Sequence, residues 1–202
     1  MEYITHVLLG IISIFIGLLP PGMLNMTAVQ LTVDKGQKES QLFSMGAALV
    51  VFIQAGIALF FAKQLNRNPK LLENIEVAGI VVFFVLAVFF FIKTRSTFKF
   101  KVKKEKKNNY FFQGFLMSTM NMLAIPFFLA VGTYLSSNEL LIMENTYELS
   151  FVFGAGVGAY LLFLTYIVFA KVIIQRANFI AKNINYILSL LFLFLGVLTW
   201  LK

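Results

Sequence analysis

Of the 202 residues, 59% are hydrophobic and 24 are phenylalanine, against about 45–50% apolar in soluble domains, so an ordinary soluble domain is excluded and an integral membrane protein indicated. Cysteine is absent, which removes disulfides and thiolate metal sites. The formal charge of +8 comes from lysines between apolar runs, where topology and anionic lipid explain it better than nucleic acid does.

A spanning helix needs about 20 apolar residues, and such stretches occur at 4–33, 40–63, 74–93, 111–135, 149–171 and 184–201, predicting six transmembrane helices. The leading "MEYITH" has no basic residue and carries Glu2, so it does not read as a conventional signal peptide and is expected to remain. The first stretch would measure about 45 Å as one straight helix, longer than the hydrocarbon core of about 30 Å. It must tilt or break. Inside it lies "GLLPPGMLNM", where Pro20 and Pro21 each remove a backbone donor and clash with the preceding turn, a cost of about 3 kcal/mol or more in an ordinary helix. Gly22 adds backbone freedom. A break is expected there, tolerable at that depth only when buried in protein or facing a wet cavity. A new half-helix should begin near Gly22 or Met23, its N–H groups and positive dipole end favouring an anion such as a substrate carboxylate. The competing reading is a packing kink compensated by neighbouring helices.

Asn25 follows the break and supplies two donors and an acceptor without a permanent charge. Thr27, Gln30 and Asp34 continue from it at helical spacing. In the second stretch Ser44, Ala47, Val51 and Gln54 share a face; in the fourth, Gly114, Ser118 and Asn121 align, with Pro126 as a second helix breaker. These stripes either line a route or join helices by hydrogen bonds. Gly46, Ala47, Gly154 and Gly158 read as close helix packing. Tyr3, Tyr134, Tyr147 and Trp200, with Tyr110 and Tyr186 at the other side, read as interfacial anchors. His6, a single imidazole, reads as incidental, and Asp34 is the best carboxylate for a coupling proton or cation.

The connections after the first, third and fifth stretches hold Lys35, Lys38, the basic run 93–107, Lys171, Arg176 and Lys182, whereas Lys63, Arg67, Lys70 and Lys202 fall on the opposite side. The positive-inside rule makes the first group cytoplasmic and both termini external. The run 93–107 also suits anionic headgroups.

The sequence repeats itself. Laid over 151–171, the stretch 43–63 matches at Phe43, Gly46, Ala47, Phe61, Ala62 and Lys63; laid over 183–202, the stretch 74–93 matches at Asn74, Ile75, Phe83, Leu86, Val88 and Lys93. "NMTA" at 25–28 is similar to "NMLA" at 121–124. Three spans per copy put the second copy upside down in the bilayer. The expectation is therefore an all-α integral membrane protein of two inverted three-helix repeats, 1–96 and 111–202, joined by a basic loop at 97–110, with the first and fourth helices broken near mid-membrane.

The segments "PPGMLNMTAVQLTVDKG", "GAALVVFIQAG" and "GFLMSTMNMLAIPFFLAV" resemble those of the lysine-exporter (LysE-type) translocators, six-span exporters of amino acids and related metabolites. The family's Pro-Gly-Pro break corresponds to Pro21, Gly22 and Met23, and its Asn-Pro-Lys to Asn121, Met122 and Leu123, so the resemblance carries over only at Pro21, Gly22 and Asn121. The missing lysine argues against assuming a basic amino acid as substrate.

The resemblance implies a secondary exporter of an amino acid or similar small polar metabolite, driven by an ion gradient. No P-loop, metal-ligand cluster or catalytic constellation is legible, so no cofactor, metal or enzymatic activity is expected. The alternatives are an ion or metal-ion exporter or channel, and a non-transporting assembly partner; a homo-oligomer is left open.

Overall fold

The computed structural model describes residues 2–66, 109–121 and 123–175, together with Phe84, Val88, Phe91, Ile92, Ser189, Leu190, Leu193, Phe194 and Val197. The third and sixth apolar stretches are described only at those isolated residues, and the basic run 93–107, Tyr186 and Trp200 lie outside the described residues. Contacts group the chain into two units, Met1–Arg67 with Glu105–Ile174, and Asn68–Lys104 with Gln175–Lys202, so each draws on both halves of the sequence.

The first unit is all-helical among its described residues: α1 (Glu2–Leu18), α2 (Met23–Asp34), α3 (Gln37–Asn66), α4 (Tyr110–Thr119), α5 (Ala124–Ser137) and α6 (Asn145–Val168). Of these, α3 and α6 are long and apolar enough to cross a membrane alone. The pairs α1–α2 and α4–α5 reach that length only together, each bent at a short break, by 85° and 64° respectively. The broken first span thus falls where Pro20 and Pro21 remove two donors, and α2 begins at Met23 with extended Gly22 as its N-cap.

In the fourth span, however, the break lies at 120–123, ahead of the proline expected to cause it. Pro126 stands in the first turn of α5, where its missing N–H would have no intrahelical acceptor anyway. The break is made instead by α4 ending at Thr119 with Met120 as its C-cap.

The α2–α3 turn closes through Gly36, whose φ of +123° is left-handed backbone that favours glycine. Its N–H reaches the Leu31 carbonyl at 3.1 Å and that of Lys35 does so at 2.9 Å, a glycine-ended helix stop that returns the chain antiparallel. At the start of α4, the Asn109 side chain accepts from the Phe112 N–H.

Packing is set by glycines. Helix α1 lies on α6 so closely that a Cβ on Gly10 would fall 2.2 Å from the Phe151 carbonyl oxygen, and one on Gly154 2.1 Å from that of Val7. Helix α4 lies on α3 in the same manner: a Cβ on Gly114 would fall 1.9 Å from the Phe43 oxygen, and one on Gly46 1.9 Å from that of Phe111. Lipid tails give helices no hydrophobic reason to associate, so backbone contact over small residues supplies dispersion energy instead. The small-residue reading of Gly46, Gly154 and Gly158 is borne out. Phe43, Phe128, Phe151 and Phe163 fill the core, whereas Ile4, Leu8, Ile12 and Ile16 make an exposed apolar ridge along α1, one turn apart as lipid contact requires.

Candidate functional site

The two breaks adjoin within this unit, since a Cβ on Gly17 at the end of α1 would fall 2.3 Å from the ring of Phe127 at the start of α5. Each break exposes the carbonyls that end its first half-helix, and each is met by a polar side chain. Without the N–H groups that a continuous helix would provide, Leu18, Leu19 and Pro20 need other donors. Asn25 Nδ2 donates to the Leu18 oxygen at 2.7 Å and to that of Pro20 at 3.3 Å, and the Tyr166 hydroxyl from α6 donates to Leu19 at 2.5 Å. Buried Asn25 therefore serves here as a cap for its own broken span.

The other side of this break stays open. No side chain caps the N-terminus of α2, and Gly22 and Met23 are exposed. Pro20 and Pro21 are half-buried. Thr27 is buried, its hydroxyl bonded back to Met23 at 2.8 Å; Gln30 is half-buried and Asp34 exposed at the far end of α2. Thus the expected stripe of Thr27, Gln30 and Asp34 passes from interior to surface.

At the fourth-span break the chain turns on itself, the Asn121 N–H reaching the Ser118 carbonyl at 3.0 Å and the Ala124 N–H that of Asn121 at 3.3 Å. Gln54 crosses from α3 and donates through Nε2 to both carbonyls, at 3.2 Å to Ser118 and 3.4 Å to Asn121. The two polar stripes of the second and fourth stretches therefore meet. Gln54 is 6% exposed and Ser118 fully buried, yet Gln54 Oε1 and Ser118 Oγ have no partner. Leaving a buried acceptor or hydroxyl unpaired costs about 1–3 kcal/mol. Asn121 is half-buried and Pro126 exposed.

Where α1 and α6 begin and α3 ends, polar groups tie the helices together. Lys63 Nζ lies 2.6 Å from Glu148 and 3.0 Å from Asn145 Oδ1, and the Tyr147 hydroxyl donates to Glu2 at 2.8 Å. His6, read from sequence as incidental, is buried and bonded at both ring nitrogens. Its Nε2 accepts from the Ile142 N–H at 3.0 Å, so the proton belongs on Nδ1, which donates to the Glu2 carbonyl at 2.7 Å. Sequence reasoning also passes over Tyr166. Its signal is a phenol inside an apolar run, whose hydroxyl must find a partner when buried.

No group of three or more His, Cys, Asp or Glu side chains fit to hold a metal occurs among the described residues. No single curated protein and no solved structure matches the chain. The family model of the LysE type translocator, in contrast, matches residues 15–202, a range that holds both breaks, Gln54, Asn121 and Tyr166. The chain accordingly belongs to the LysE type translocator family of membrane translocators.

Proposed function

We propose that the chain is a secondary exporter of an amino acid or similar small polar metabolite, working by alternating access around the two helix breaks. In this reading six spans form two inverted three-helix repeats, both termini lie outside the cytoplasm, and the run 93–107 rests on anionic headgroups. The observation that carries it is the duplicated packing. Gly10 and Gly114 are 104 residues apart, as are Val7 and Phe111, while Phe43 and Phe151 are 108 apart, as are Gly46 and Gly154. Equivalent residues of two copies thus make equivalent backbone contacts, α1 on α6 and α4 on α3, and in each copy the first half-helix ends at a break. The translocator family supports transport.

Counterflow of labelled amino acids and small metabolites in proteoliposomes tests this. Saturable, gradient-driven movement of one solute class is expected, and a purely ohmic ion current without counterflow would overturn the exporter. Asn121→Ala should lower initial uptake about tenfold, the worth of one lost polar contact, at unchanged expression; normal uptake removes Asn121 from the route.

A further inference from the structure

We infer that Gln54 Oε1 and Ser118 Oγ, beside the C-terminal end of α4, form a binding site for a small monovalent cationic group. The orientation of Gln54 is fixed by its surroundings. Its Nε2 faces the carbonyls of Ser118 and Asn121, and reversing the amide would set oxygen against two oxygens. Oε1 therefore points elsewhere, and there it meets no donor.

Ser118 adds an independent sign. The helical hydroxyls of Ser13, Thr27, Ser44 and Thr119 are satisfied on the carbonyl four residues back, at 2.7–2.9 Å. Ser118 has the same option and leaves its oxygen unpaired although fully buried. The two residues belong to one cluster, because Gln54 Nε2 rests on the carbonyl of Ser118 itself.

Their chemistry selects the ligand. An amide oxygen only accepts, a hydroxyl oxygen accepts readily, and the C-terminus of α4 carries the negative end of the helix dipole; all three favour positive charge. The α3–α4 contact is too tight for a bulky group, with Gly114 against the Phe43 backbone. No metal-holding carboxylate cluster occurs among the described residues, so a divalent ion, which favours charged oxygen ligands, is disfavoured. A group of this kind has two sources, a free alkali ion or the ammonium of a transported solute. The second rests on the exporter reading; the first does not.

The test is thermal unfolding of the purified protein in detergent, with sodium chloride, methylammonium chloride or choline chloride at equal ionic strength, so its outcome does not depend on whether counterflow is seen. Sodium or methylammonium should raise the melting temperature saturably above choline, and Ser118→Ala should move that midpoint by about tenfold or more. A response to sodium marks a free ion as ligand, and one to methylammonium alone marks an ammonium. In choline the variant should melt no lower than the parent, since no hydrogen bond is removed. Equal responses to all three salts, an unmoved midpoint, or a Ser118→Ala variant that melts lower in choline or fails to fold would overturn the site.

Discussion

Asn25 illustrates how a polar residue beside a helix break can serve the break itself. Its amide nitrogen reaches two carbonyls that the end of the first half-helix leaves without intrahelical donors, and Tyr166 takes the third. Both Asn25→Ala and Asn25→Asp should therefore destabilise the protein, by about 1–3 kcal/mol for the unpaired acceptors, and aspartate at least as much as alanine, since its carboxylate donates nothing and faces carbonyl oxygens. Thermal melts of the two variants check this; an aspartate variant as stable as the parent would show that the nitrogen is not the capping atom. Much of this is legible in the letters alone. "PPG" places the break, and Asn25, Gln54, Ser118 and Asn121 stand out as uncharged polar groups in apolar runs. Their division of labour is not legible, because whether an amide meets a backbone carbonyl, another helix or a solute depends on what the bend brings near.

Among the elements, the helix pairs are held at backbone contact distance, and the glycines there are not interchangeable with others on the same helices. Gly154→Ala drives a methyl group into the Val7 backbone and should cost about 1–3 kcal/mol, as overpacking does. Gly56, on α3, has only a side-chain atom of Val152 at 3.8 Å from a Cβ position. Gly56→Ala should be neutral or stabilising by roughly 0.5–1 kcal/mol, the ordinary gain of alanine over glycine in a helix. Chemical unfolding of the pair reads the difference, and equal stabilities would mean that α1 and α6 shift apart freely. The small-residue runs foretell that Gly46, Gly154 and Gly158 pack, but not that Gly10 and Gly114 do so as closely. Nor does composition foretell that the fourth-span break precedes Pro126, because a proline is as suited to open a helix as to end one, and α4 stops for want of continuation at Met120.

At the scale of the molecule, the ends of α3 and α6 are tied by Lys63 and Glu148, only 19% and 15% exposed, where an ion pair is less screened than at a free surface. If transport parts these ends, holding them should stop it. The chain has no cysteine, so a Lys63→Cys, Glu148→Cys double variant offers a thiol cross-linker one pair of targets. Cross-linking with a cleavable reagent should suppress counterflow about tenfold or more, and cleavage should restore it; undiminished flux in the linked protein would show that the α3 and α6 ends stay together through the cycle.

The sequence by itself determined that this chain belongs in a membrane and where its first helix breaks, because apolar run length and proline geometry are properties of the linear chain. Only the tertiary structure decided that Gln54 meets Ser118 and Asn121, that Asn25 and Tyr166 close the first break, and that two oxygens at the other are left without donors. Those outcomes depend on which helices approach to backbone contact, and distance between residues remote in sequence is not encoded in any local pattern of them.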